Sequence, residues 1–281
     1  MITTLELAEM SIDQFEDKHG YEPTFLGVIV PLPQVAAPFE NDLAPLLDDS
    51  GSELKYEHFS VVMNKARRLA HFTAVNIDGS HLQRPPRKRD VWYFDPRISR
   101  DYQTGPELYA DNQLDRGHLV RRLDPVWGTQ ALQAQEDTFH FTNCAPQHAR
   151  LNQNTWLGLE DYILGNSAVD GLRVTVFTGP VFREDDMLYR DTYRIPADFW
   201  KVVVVVKDDG QLSATAYLLT QRGLLGTLEV FGPYKTYQVS VSQIEALAGL
   251  SFGDLSSHDP LASPFESITL HEVMGPVDIQ L

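Results

Sequence analysis

Asp115-Arg116-Gly117-His118, then Thr142-Asn143-Cys144-Ala145-Pro146-Gln147, then Leu151-Asn152-Gln153-Asn154-Thr155-Trp156-Leu157-Gly158-Leu159-Glu160: these three stretches decide the reading of the 281-residue chain. The first holds a base suited to neutral pH, since an unperturbed imidazole titrates at about 6.5. Arg116 beside it offers planar donors that fit a phosphate or a carboxylate. Gly117 opens backbone torsions closed to other residues and lets a substrate approach closely. In the third stretch Leu151, Trp156, Leu159 and Ile163 keep helical spacing, which predicts a helix over 151–164 with Trp156 packed in the core. Asn152 and Glu160 stand eight residues apart there. That separation is about 80° in azimuth and about 12 Å along a helix axis, so they flank one site without both touching one ion. Oxygen donors without cysteine suit a hard cation such as Mg2+, which keeps much of its hydration shell.

Composition narrows the alternatives. With 43% hydrophobic and 22% charged residues the chain is globular. Lys and Arg number 23 against 39 Asp and Glu, a net charge of −16, which excludes a diffusely basic coat for nucleic acid. The one cysteine, Cys144, excludes an intrachain disulfide framework and any multi-cysteine metal centre, and it reads as a small buried residue. No Gly-x-Ser-x-Gly elbow supports serine hydrolysis. The longest strongly apolar run, Val202 to Val206 between Lys201 and Lys207, is far short of the ~20 residues of a spanning helix, so no membrane partner is expected. Met1 to Glu6 lacks the basic start and apolar stretch of a secretory signal, and the expectation is cytoplasmic, with export by another route left open.

Charge is unevenly spread. Residues 1–53 carry eleven acids and one base, Lys18, and four prolines between Pro31 and Pro45 exclude regular helix or central strand there. This region is read as an acidic N-terminal arm or adaptor, with a short helix around Ser11–Phe15 stopped by Gly20, and 54–281 as the main domain. Residues 84–122 hold nine bases against six acids, a positive island in an acidic chain. Strands are predicted at 59–63, 72–76, 138–142, 174–178, 200–206 and 213–219, and a late helix at 243–248 before Gly249. Asp208-Asp209-Gly210 turns one strand into the next. Helices and strands do not alternate regularly, so the fold class is α+β with a mainly antiparallel central sheet flanked by helices.

DRGH, an Asn-x-x-Pro-Gln stretch and Leu-Asn-Gln-x-x-Trp-x-x-Leu-Glu occur here in order, and together they resemble the DNA/RNA non-specific endonucleases. These are ββα-metal nucleases, and the likeness spans roughly residues 55–252. The resemblance implies that His118 is the general base, Asp115 its orienting acid and Arg116 an arginine near the site. It implies that Asn152 ligates Mg2+ directly (Mn2+ as a substitute) and that Glu160 holds the ion through water. It also implies an arginine before Trp92-Tyr93-Phe94-Asp95-Pro96, with Arg89 the best match and Arg87 a close rival, and Asn143 as a residue lining the substrate site. DNA and RNA are the implied substrates, with 5′-phosphate products and little base preference. A homodimer and a regulatory or inhibitor protein are implied as partners. Two alternatives stand beside this: a nuclease effector of a defence or toxin assembly under a partner's control, and a nucleic-acid-binding module without turnover. The acidic arm is either a solvated adaptor or an electrostatic damper of the positive island.

Overall fold

The computed structural model describes residues 10–86, 90–148, 171–222, 235–262 and 271–272. The N-terminal segment runs through a short 3-10 turn (Ile12–Phe15), a two-residue strand β1 (Gln34–Val35) and one turn of helix α1 (Ala37–Glu40). Strands β2 (Glu53–Lys55), β3 (Phe59–Asn64) and β4 (Leu69–Asp78) follow. Next come helix α2 (Pro106–Tyr109), strand β5 (Leu114–His118), helix α3 (Ala131–Asp137) and strand β6 (Cys144–His148). The rest comprises β7 (Arg173–Val181), the small hairpin β8 (Met187–Tyr189) and β9 (Tyr193–Ile195), β10 (Asp198–Val206), β11 (Leu212–Thr220), β12 (Lys235–Val239), α4 (Val241–Ala248), β13 (Leu250–Ser251) and β14 (His271–Glu272).

Among the described residues, eight strands form one antiparallel sheet in the order β14-β12-β11-β10-β7-β4-β3-β2. The valine run explains why it is buried on both sides. Side chains alternate along a strand, and a strand apolar at every position must be covered on both faces. Val203 and Val205 of β10 pack in one core cluster, Val202 and Val204 in another. Over the first face lie Phe15, Ile98, Leu119, Val120 and Ala145; over the second lie Tyr21, Val30, Val241, Ile244, Leu250 and Phe252. The fold class expected from the sequence is the one observed.

The N-terminal segment crosses from one face to the other. Gly20, at φ +79°, makes the crossing, and a Cβ there would overlap Ser60 Oγ. Tyr21 N then donates to Ser60 Oγ (2.8 Å) and Glu22 N to Asn76 Oδ1 (2.7 Å). Far from being a loosely solvated strap, this segment places Phe15 in one core and Tyr21 and Val30 in the other. Lys18, its one base, forms a buried ion pair with Asp137 at 2.9 Å.

Most expected strands lie where the β-branched runs put them, each extended by a few residues. The late helix starts at Val241, because Ser240 and Gln243 form a reciprocal cap, and Gly249 closes it at φ +64°. The strand expected at 138–142 does not form. Thr138 Oγ1 donates to Gln135 O, and His140 Nδ1 contacts Asp137 O, so the polar side chains extend the end of α3 instead. A 3-10 turn at Phe141–Asn143 follows, and the strand comes after it, at β6. The helix expected over 151–164 lies outside the described residues. No helix among the described residues is long and apolar enough to cross a membrane.

Candidate active site

DRGH forms most of β5, which pairs antiparallel with β6: Asp115 faces Gln147, Arg116 faces Pro146, Gly117 faces Ala145 and His118 faces Cys144. Paired residues point to the same side of a sheet, so the hairpin has two distinct faces. The inner face carries Asp115, Gly117, Ala145 and Gln147, and Ala145 packs into the main core. The outer face carries Leu114, Arg116, His118 and Cys144, and Cys144 clusters with Trp92, Phe139 and Phe141.

On the outer face two groups converge on one indole. The His118 ring sits 4.9 Å from Trp92, tilted by 46°, and meets Phe139 edge-on at 5.1 Å. Arg116 is exposed, with its guanidinium carbon 5.4 Å from the Trp92 ring. Trp92 itself is 7% exposed, so it is a wall and not a stacking platform. An oriented imidazole and an exposed cation share this wall, and together they suit attack on a negatively charged ester.

What holds His118 in place is the turn behind it. Leu119 N donates to Asn143 O (2.9 Å) and Val120 N to Asn143 Oδ1 (2.9 Å). Asn143 Nδ2 donates to Val120 O and Thr138 O, each at 3.0 Å. Asn143, expected from the sequence to line the substrate site, has its carboxamide fully buried and bonded to backbone, which positions the end of β5. Lys201, 1% exposed in the valine run, reaches Leu119 O at 3.4 Å and Thr178 Oγ1 at 3.1 Å.

The comparisons with known proteins give the family and the fold. The family model for DNA/RNA non-specific endonucleases matches residues 44–258. The chain belongs to this family. Its relatives include the uncharacterized protein y4fB of Sinorhizobium fredii, 39% identical over 95% of this chain and 43% of that protein. Human mitochondrial endonuclease G is 30% identical over 51% of this chain and 50% of its own length. A nuclease of Nostoc sp. is 26% identical over 69% of this chain and 70% of its own. This chain thus spans half or less of the first two relatives. The solved EndoG/EndoGI complex shares the fold at a TM-score of 0.57 and 21% identity, over 72% of this chain and 86% of that one.

Family membership does not explain every motif residue in the way the sequence suggested. Gly117 has no left-handed backbone, and a Cβ on it would collide with the Gln147 side chain crossing the inner face. The glycine is a packing requirement beneath His118, not a gap left for substrate. Cys144 is fully buried, and burial pushes its thiol up to about 12, so it is no nucleophile. The positive island is not one patch. Arg97 is turned inward and clamps the buried Asp95 through Nε (3.0 Å) and Nη2 (2.7 Å), while Arg116 stays exposed. Burial pushes the Asp95 carboxyl up, but Arg97 outweighs that and holds it below its usual range.

Arg87, Arg89, Asn152 and Glu160 lie outside the described residues. Among the described residues no group of three His, Cys, Asp or Glu is able to hold a metal. Asn152 and Glu160, the donors expected from the sequence, are an amide and a carboxylate, and all-oxygen chemistry of this kind fits a hard divalent cation. Sequence reasoning passed over Phe139 and Lys201 and used Trp92 only as a landmark. The signal for Lys201 was present, as a lysine abutting five valines, but it read as the polar boundary of the run.

Proposed function

We propose that the chain is a Mg2+-dependent endonuclease that hydrolyses phosphodiester bonds of DNA and RNA with little base preference, leaving 5′-phosphate and 3′-hydroxyl ends. The observation that carries this reading is the convergence of His118 and Arg116 on Trp92, at the end of a DRGH strand. His118 removes a proton from water as its oxygen attacks phosphorus; the P–O3′ bond breaks and the departing 3′ oxygen takes a proton from solvent. Packing against Trp92 and Phe139 on two sides, with the Asn143 clamp behind, fixes the direction in which the imidazole receives that proton. Arg116 places its guanidinium where negative charge builds on the phosphoryl oxygens. Asp115 is the motif's orienting acid, acting from the opposite face of the same strand, and Arg89 or Arg87 adds a second cation upstream. Asn152 would hold the ion directly and Glu160 through water, and the ion would supply positive charge to offset the negative charge of the phosphate.

Contacts to phosphate and sugar carry no base identity, which supports the lack of sequence preference. The test is cleavage of supercoiled plasmid and of RNA with Mg2+ by the wild-type chain and by His118→Ala. The expected result is a loss of about 10²–10⁴-fold in rate on both substrates, with an unchanged melting temperature. Undiminished cleavage by the variant overturns the assignment of the base.

A further inference from the structure

Seven arginines crowd around the β8–β9 hairpin, and the structure divides them by what neutralises them. Arg67 Nη1 pairs with the buried Asp186 at 3.0 Å, and Arg183 pairs with the buried Asp198. Arg222 lies 3.4 Å from Asp198 and 3.5 Å from Asp185, and Arg100 lies 3.8 Å from Glu107. Arg68, Arg190 and Arg194 differ. Arg68 donates to Thr192 O, Arg190 to Glu107 O and Ala110 O, and Arg194 to Glu184 O and Asp186 O. All of these acceptors are backbone carbonyls, so the guanidiniums are held in place with their charge uncancelled. Glu184 and Asp191 are exposed beside the hairpin, and the Glu107 carboxylate accepts from Tyr193 Oη at 3.2 Å; among the described residues no ion pair joins any of these acids to Arg68, Arg190 or Arg194.

Two more observations concern the same residues. Arg68 and Arg190 adopt left-handed backbone, at φ +58° and +51°, where a long side chain costs of order 1 kcal/mol and Gly or Asn is the comfortable choice. Arg68 also lies over the Tyr193 ring at 4.6 Å and Arg190 over Tyr189 at 5.0 Å. Both residues sit in hairpin turns, β3–β4 and β8–β9, whose geometry sets the left-handed backbone that Asp191 shares, and the turns place these cations against aromatic rings.

The hairpin is joined to the candidate active site. Leu114, first residue of β5, packs with Ile195, Ala197, Tyr189 and Tyr193, on the face of β5 that also carries Arg116 and His118. Tyr109 belongs to this cluster and to the Trp92–Phe141–Cys144 cluster beside His118. From Leu114 to His118 is four strand steps, about 13 Å.

We propose that Arg68, Arg190 and Arg194 form a second phosphate-binding surface, which takes the nucleic-acid backbone beyond the Leu114 end of β5, away from the scissile bond. This rests on the nuclease reading above. It also answers how a chain of net charge −16 holds a polyanion: by a few guanidiniums, each kept clear of carboxylates, in place of a basic coat. The ligand is the sugar–phosphate backbone and not a base, since none of the three is arranged with a partner that reads base edges.

The test is binding of a fluorescein-labelled DNA duplex two helical turns long, followed by anisotropy in EDTA from about 50 to 200 mM salt. The 281-residue wild-type chain is compared with Arg68→Gln/Arg190→Gln/Arg194→Gln and with the matching triple lysine variant. Each lost phosphate contact lowers the salt slope by about 0.9, so the glutamine variant is expected to lose about 2–3 from the slope and at least about tenfold in affinity at low salt. The lysine variant keeps the charge and is expected to keep most of the slope. The slope is a property of the folded molecules that bind, so partial unfolding does not imitate its loss. A glutamine variant with wild-type slope and affinity overturns the proposal. So does a lysine variant as impaired as the glutamine one, because the effect would then come from the lost carbonyl contacts. Either outcome, with wild-type cleavage intact, leaves the nuclease reading standing. A wild type that neither binds nor cuts duplex brings down both.

Discussion

The N-terminal segment and the β5–β6 hairpin lie against the same face of the central sheet, and they meet it in opposite ways. The segment inserts a large ring: Phe15 packs edge-on against Tyr56 at 5.9 Å and His140 at 5.6 Å, under the Arg97 guanidinium at 4.0 Å. The hairpin presents a small and polar inner face, Gly117 and Ala145 beside Asp115 and Gln147. Most of the segment precedes residue 44, where the family match begins, whereas the hairpin lies within it. The difference separates two tasks. Phe15 fills the core and has no part in the proposed chemistry, and the strand proposed to carry that chemistry is held by close approach and hydrogen bonds.

The largest expected effect on that contrast comes from Phe15→Ala. Removing a buried phenyl ring costs about 3–5 kcal/mol, read as a lower urea midpoint, while the cleavage rate per folded molecule stays at the wild-type value. A rate that falls along with stability would show that the two regions are not separable. Deleting the whole arm is a poor test of electrostatic damping for the same reason, since it takes Phe15, Tyr21 and Val30 out of both cores.

Acid probes the other end of the segment. His71 is buried beside Phe39 of α1, with Phe72 and Phe182 around it. Burial pushes its pKa down to about 4, opposed by the Ala248 backbone and the charge of Asp42. Between pH 4 and 6.5 the unfolded chain binds a proton that the folded chain refuses, so stability rises with pH across that window and is lost as pH falls through it. A shift of this size corresponds to about 3 kcal/mol. His58 and His140 are also lowered by burial and act in the same direction, so the measurement is the difference between wild type and His71→Gln. The variant is expected to show a flatter loss of stability on acidification; an identical slope removes His71 from the account.

The sheet was legible because β-branched runs bounded by turn residues leave few alternatives. Val202–Val206 before Asp208-Asp209-Gly210 announces β10 and the hairpin that follows. The candidate site was legible as chemistry but not as structure. Asp-Arg-Gly is a poor strand by propensity, and β5 exists because β6 pairs with it and Asn143 pins its end. The strand expected at 138–142 failed for the converse reason: Thr138 and His140 had better partners at the end of α3. Positions such as Gly117 and Lys201 are intelligible only through contacts distant in sequence, with Gln147 in one case and Leu119 in the other.

The smallest expected effect is the most discriminating. Gly117 lies on the packing face of β5 and is followed by His118 on the chemical face, so it is where the two tasks meet. Its backbone is not left-handed, so alanine is penalised only by overlap with Gln147. Overpacking of this kind costs about 1–3 kcal/mol. A shift of the neighbouring imidazole by an ångström costs up to about 100-fold in rate. Gly117→Ala is therefore expected to lower both the urea midpoint and cleavage, and Gly117→Ala/Gln147→Ala to recover much of both, a coupling that separate sites would not show. If Gly117→Ala loses stability while its folded molecules cleave at the wild-type rate, the inner face of the hairpin is ordinary core like Phe15. His118 must then owe its orientation to Trp92, Phe139 and Asn143 alone.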